Sequence, residues 1–230
     1  MGIKENLDSV RKATAEAALK SGRHPEEIVL VGVSKTFSSS LVRQALDCGL
    51  RDIAENRLHE AEEKFPLFPG ARKHFIGHLQ SNKTKRVVEL CDMIQSVDSM
   101  KIAQSISDAA IANGRIMPVL VQVLTDQKKE FGIRPKGLEK FLTEASKMEG
   151  MRIQGMMTIG PVFKTREESR QFFRRMKNLH VSIAALNIPK VEMRYLSMGM
   201  SSDFTTAIEE GANMVRVGTA LFGQRNNSPF

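Results

Sequence analysis

The sequence has no tryptophan, one tyrosine and two cysteines, and no apolar run long enough to span a membrane. Cys48 and Cys91 lie far apart and in no C-x-x-C pair, which suggests neither a disulfide framework nor a zinc site and predicts ordinary thiols in a reducing compartment. With so little Trp and Tyr the chain offers few platforms for base stacking, although 12 Phe remain. Lys and Arg number 34 against 26 Asp and Glu, a net charge of +8 that favours anionic partners. The basic residues are scattered, however, in small groups such as Lys83, Lys85 and Arg86, Lys128 and Lys129, and Arg174 and Arg175. That dispersion argues against dedicated nucleic-acid recognition. The opening stretch, MGIKENLDSVRKATAEAALK, mixes acidic residues with helical periodicity and lacks the apolar core of a signal peptide. A cytoplasmic protein with no membrane association and no metal site is expected.

What the chain does have is organised around Ile28–Lys35, IVLVGVSK. The run is apolar on both alternating faces, as in a parallel strand buried on both sides, and it ends in a lysine. Ligands bind at the carboxyl ends of parallel strands, so Lys35 stands where a working amine would be.

Residues from about Lys4 to Ser21 read as an amphipathic helix that packs outside the main body, with Leu7, Val10, Ala17 and Ala18 at helical spacing. Strand and helix patterns then alternate. Strands are expected at 28–35, 52–55, 74–77, 93–97, 119–124, 151–159, 191–198 and 214–223, each followed by a helical or turn segment. Eight such units in 230 residues predict one (β/α)8 TIM-type barrel with an extra N-terminal helix, a single domain over residues 1–230. The strand ends then collect polar groups: Lys35, Asn56, His78, Ser96 with Asp98, Thr158, Ser197 and Arg216 to Thr219.

The last third is the most specific. In LSMGMSSDFTTAIEEGANMVRVGTALFG, Leu196–Gly223, Gly199, Ser201 and Ser202 precede a helix, and Gly218 and Thr219 follow the last strand. Small residues with open backbone N–H groups beside a helix start can cradle an anion, and the ends of strands seven and eight are the usual phosphate site of this barrel. Two ordinary glycine turns would show the same spacing. Strand alternation puts Met214, Arg216 and Gly218 on one face, so if Gly218 faces a phosphate in such a cradle Arg216 points into the barrel mouth and needs a carboxylate or a ligand. A lysine, a phosphate cradle and an inward arginine together suggest pyridoxal 5′-phosphate.

At these residues the chain resembles the pyridoxal phosphate homeostasis proteins, which are similar to the N-terminal barrel of alanine racemase without its second domain. The matching segments are VGVSKTF around Lys35, AENRLHEAEEK at Ala54–Lys64, HFIGHLQSNKTK at His74–Lys85, QSVDS at Gln95–Ser99, GMMTIG at Gly155–Gly160, and the closing segment. The resemblance implies that Lys35 forms a Schiff base with the cofactor, Asn56 lies beside it, Ser201 with the Gly218 and Thr219 backbone holds the phosphate, and Arg216 faces the pyridine nitrogen. It also implies binding and supply of the cofactor without established turnover, PLP-dependent apoenzymes as recipients, and a monomer or weak dimer. The chain departs from the common family pattern at Ala54, Arg57 and Lys73, where Gly, Tyr and an aromatic are usual.

An arginine at the ring nitrogen disfavours the pyridinium and weakens the ring as an electron sink, which argues against aminotransferase chemistry. The alternative is a PLP-dependent amino-acid racemase or lyase of low activity. Alanine-racemase-like chemistry needs a second base opposite the lysine, a tyrosine of the second domain in that enzyme. Tyr195 sits a step too deep and is expected in the barrel core, leaving His78 and Asp98 as the other proton-transfer candidates.

Overall fold

A computed structural model describes residues 2–125 and 131–224 of the chain; Lys128 and Lys129 lie outside them. Eight parallel strands close into a barrel in sequence order, β1 Val29–Val33, β2 Asp52–Glu55, β3 Arg72–Phe75, β4 Met93–Val97, β5 Met117–Gln122, β6 Met151–Met157, β7 Val191–Ser197 and β8 Met214–Val217. Closure comes from β1 pairing with β8, Val31 opposite Arg216, while its other edge pairs with β2. The barrel expected from the alternation is therefore the one found.

The helices α1 Ile3–Lys20, α2 Ser39–Asp47, α3 Leu58–Lys64, α4 Thr84–Leu90, α5 Met100–Ala112, α6 Pro135–Ala145, α7 Arg166–Ala185, α8 Phe204–Glu209 and α9 Thr219–Phe222 cover the outside. Their starts follow local chemistry. Ser38, Ser99 and Thr165 each accept a backbone N–H in the first turn of the helix they precede. Helix α1 buries Ile3, Leu7, Val10, Thr14, Ala17 and Ala18 and packs on α8 and α9, with Asn6 donating to the Leu221 carbonyl at 3.1 Å.

Two apolar layers result. The larger lies between strands and helices, and the smaller fills the barrel with Val31, Val33, Ala54, Met93, Leu120, Met157, Tyr195 and Met214. Tyr195 is thus core, as its depth on the strand predicts. The closing segment differs from expectation: the strand stops at Val217 and Thr219–Phe222 turns into α9. Gly218 is the N-cap of that helix.

The barrel interior is less apolar than the strand patterns suggest. His74, Gln95, Ser197 and Arg216 are all buried within it, and each is hydrogen-bonded. Among the described residues no helix is long and apolar enough to cross a membrane, and no group of three or more His, Cys, Asp or Glu side chains converges as a metal site.

Candidate functional site

A cavity of about 620 Å³ opens at the carboxyl ends of the strands. Lys35, Asn56, Ser201, Arg216, Gly218 and Thr219, all expected at the site, line it together. Val33, Ile76, Ile159, Phe131 and Met200 supply apolar wall.

Lys35 stands two residues beyond β1, in a turn whose two sides are held by one cluster of charge. Lys64, only 6 % exposed, donates to the Ser34 carbonyl at 2.8 Å, to Glu55 Oε1 at 2.9 Å and to Glu60 Oε2 at 2.8 Å. Glu60 accepts the Thr36 backbone N–H at 2.6 Å, and Ser34 Oγ donates to Glu55 at 2.7 Å. Thr36 is held at φ 66°, a left-handed conformation that costs a residue with a branched Cβ, so the turn is kept by these contacts and not by preference. Burial pushes the Glu55 carboxyl up despite Lys64 and Ser34. Burial also opposes ionisation of Glu60, but the bonds from Lys64 and Thr36 outweigh it and hold that carboxyl down. The Glu60–Lys64 pair has i, i+4 spacing, the signal in AENRLHEAEEK that could have revealed it.

Arg216 is 4 % exposed and donates to Ser197 Oγ at 2.5 Å and to the Thr158 carbonyl at 2.7 Å. Burial lowers its pKa to about 10, partly offset by the charge of Asp203, so it remains cationic at neutral pH. Of the carboxylate or ligand expected for it, neither is among these two partners, which are neutral acceptors, and Thr158 and Ser197 act from behind the cavity.

Ser201 Oγ accepts the backbone N–H groups of Gly218 at 3.1 Å and Ala220 at 3.2 Å, which ties the β7–α8 turn to the start of α9. Gly199 permits that turn at φ +93°, where a Cβ would lie 2.6 Å from the Ala207 side chain. Asp203 accepts the Met200 N–H at 2.7 Å.

His78 Nδ1 lies 2.9 Å from Asp98 Oδ2, and its ring stacks on Phe131 at 3.6 Å. The two rings stand between the main cavity and a neighbouring one lined by Gln80, Ser81, Asn82, Asp98 and Lys101. Ser96 is turned away, its hydroxyl donating to the Gly77 carbonyl at 2.6 Å. Lys83 and Lys85 are exposed to solvent.

The family described as "Alanine racemase, N-terminal domain" matches residues 6–226. The chain is 36 % identical over 232 residues to the pyridoxal phosphate homeostasis protein of Escherichia coli strain K12, covering 98 % of each. It is 33 % identical over 228 residues to that of Aquifex aeolicus, covering 98 % of this chain and 99 % of the relative. Among solved structures it superposes on PipY of Synechococcus elongatus with PLP bound at a TM-score of 0.84 and 33 % identity, covering 96 % of this chain and all of that one. An alanine racemase of Clostridium difficile shares the fold at 16 % identity and a TM-score of 0.76, the chain spanning 58 % of its length.

Proposed function

We propose, from the premise that this chain belongs to the family of pyridoxal phosphate homeostasis proteins, that it is a single-domain barrel over residues 1–230 that binds pyridoxal 5′-phosphate and regulates its supply without catalytic turnover. The observation that carries this reading is the convergence of Lys35, Arg216, Asn56 and the Ser201–Gly218 turn on one cavity. The residues fit the cofactor. Asn56 Oδ1 is buried without a hydrogen-bond partner, a cost that a ligand donor would remove. Ser201 Oγ already accepts two N–H groups, so its own proton remains to be donated to an anion.

When bound, the cofactor supplies an aldehyde and an electron-withdrawing ring. Lys35 holds it covalently as a Schiff base. Ser201, with the Gly218 and Thr219 backbone, holds the phosphate, and Asn56 lies beside the ring. Arg216 faces the ring nitrogen as a permanent donor and keeps a proton off it. PLP-dependent apoenzymes are the proposed recipients, the chain acts as a monomer or weak dimer, and its two free thiols fit a cytoplasmic setting.

A second reading, a racemase or lyase of low activity, rests on the His78–Asp98 pair beside the cavity. With Tyr195 buried in the core, this pair is the proton-transfer group at hand.

The test is the visible spectrum of the protein with pyridoxal phosphate before and after borohydride, compared with Lys35→Ala. A yellow band that borohydride traps on Lys35 and that the variant lacks is expected. Folded protein without such a band overturns the reading. Lys35-dependent solvent exchange of the α-proton of alanine or serine would favour the second reading.

A further inference from the structure

A chain of hydrogen bonds runs through the barrel from the cavity to its opposite end. Arg216 donates to Ser197 Oγ at 2.5 Å, and Ser197 donates to Gln95 Oε1 at 2.7 Å. Gln95 Nε2 meets His74 Nδ1 at 3.0 Å, and His74 Nε2 meets Asp52 Oδ1 at 2.8 Å. Ser197, Gln95 and His74 are completely buried, whereas Asp52, the first residue of β2, keeps 14 % of its side chain exposed beside Arg72.

The polarity of the chain follows from its members. An amide nitrogen only donates, so His74 Nδ1 accepts and its proton sits on Nε2, directed at the Asp52 carboxylate. The opposite amide orientation would instead turn Oε1 toward Met214 Sδ, which lies 3.3 Å from the amide nitrogen. Every donor therefore points away from Arg216 toward Asp52, and successive bonds of one direction polarise one another.

We infer that Asp52, His74 and Gln95 are positioning residues for Arg216. They orient Ser197 as an acceptor, and so hold one guanidinium arm back against the barrel wall, as the Thr158 carbonyl holds the other, while Arg216 still lines the cavity. They also connect a buried cation to the Asp52 side chain at the far end of the barrel, which lies beside His74 and Arg72. Their consequence for a ring nitrogen rests on the binding reading above; their hold on Arg216 does not.

The ligand-free protein provides the first readout, the hydrogen exchange of the Arg216 guanidinium protons by NMR. In Gln95→Leu, which interrupts the chain at its centre, and in Asp52→Ala, which removes its terminus, exchange at Arg216 is expected to quicken about tenfold, as for the loss of one hydrogen bond. Backbone amides of the barrel should keep their protection. Asp52→Asn retains an acceptor for His74 and should restore most of the effect. The second readout is affinity for pyridoxal phosphate, expected to weaken about tenfold in the first two variants while borohydride still traps Lys35. Unchanged guanidinium exchange in folded Asp52→Ala overturns the inference, as does a rise matched by every backbone amide. Should Gln95→Leu not fold, Asp52→Ala at the barrel's exposed end decides. Wild-type protein without a trapped band would remove the cofactor reading and leave the exchange result standing.

Discussion

Lys64 donates its ammonium to the carbonyl of Ser34 at 2.8 Å, the residue immediately before Lys35. The same ammonium binds Glu60, which holds the N–H of Thr36, the residue immediately after. The turn that presents Lys35 is therefore fixed from both sides by a helix that contributes nothing to the cavity wall.

Lys64→Met should cost about 3–5 kcal/mol, the usual penalty for leaving a buried charge without its partner. Glu55 is completely buried and already has a raised pKa because of burial, and without Lys64 it rises further. A carboxyl with a folded pKa above its unfolded value loses stability as pH rises above the latter, about 4.3. The deficit should thus be small near pH 5 and largest near pH 8, by denaturant titration; a deficit independent of pH would contradict it.

His180 on α7 is 7 % exposed, and burial, with the charge of Lys177, holds its pKa down at about 4 against an ordinary 6.5. The unfolded chain takes up a proton in that interval and the folded chain does not, so stability rises with pH between them. The contribution is fully present above about pH 6.5 and is lost as pH falls toward 4, a total of about 3 kcal/mol. The unfolding free-energy difference between wild type and His180→Leu should change by that amount across the window. A constant difference would show that His180 does not titrate as described.

Cys91 is 1 % exposed, and burial, then the charge of Asp92, push its thiol far above the reactive range. Cys48 is half-buried at the end of α2. A thiol reagent should modify Cys48 alone in native protein and both cysteines in denaturant. Modification of Cys91 at the same rate under native conditions would mean that the β3–β4 side of the barrel opens.

Gly155 lies where the β6–β7 register shifts, at φ +146°, and a Cβ there would fall 1.9 Å from the Tyr195 carbonyl oxygen. Gly155→Ala should destabilise the barrel by about 3 kcal/mol or more, since both backbone conformation and contact are violated. Thermal unfolding measures it, with Gly137→Ala, where nothing lies within 4 Å, as the benign comparison.

Much of this molecule is written locally. The alternation of apolar strands and amphipathic helices specifies the barrel, because each βα unit must bury its strand on both faces. The lysine after β1 and the small residues around Ser201 and Gly218 mark the site, because their positions follow from strand ends alone. Ser34, Glu55, Glu60 and Lys64 were half legible, through one i, i+4 pair in a helix. The Asp52–His74–Gln95–Ser197–Arg216 chain was not: Gln95 and Ser197 are 102 positions apart. Strand periodicity says that each points inward or outward, but not which inward groups meet. That depends on strand register and on closure of β8 against β1, and only the packed barrel, which excludes water from its interior, requires those polar groups to find one another.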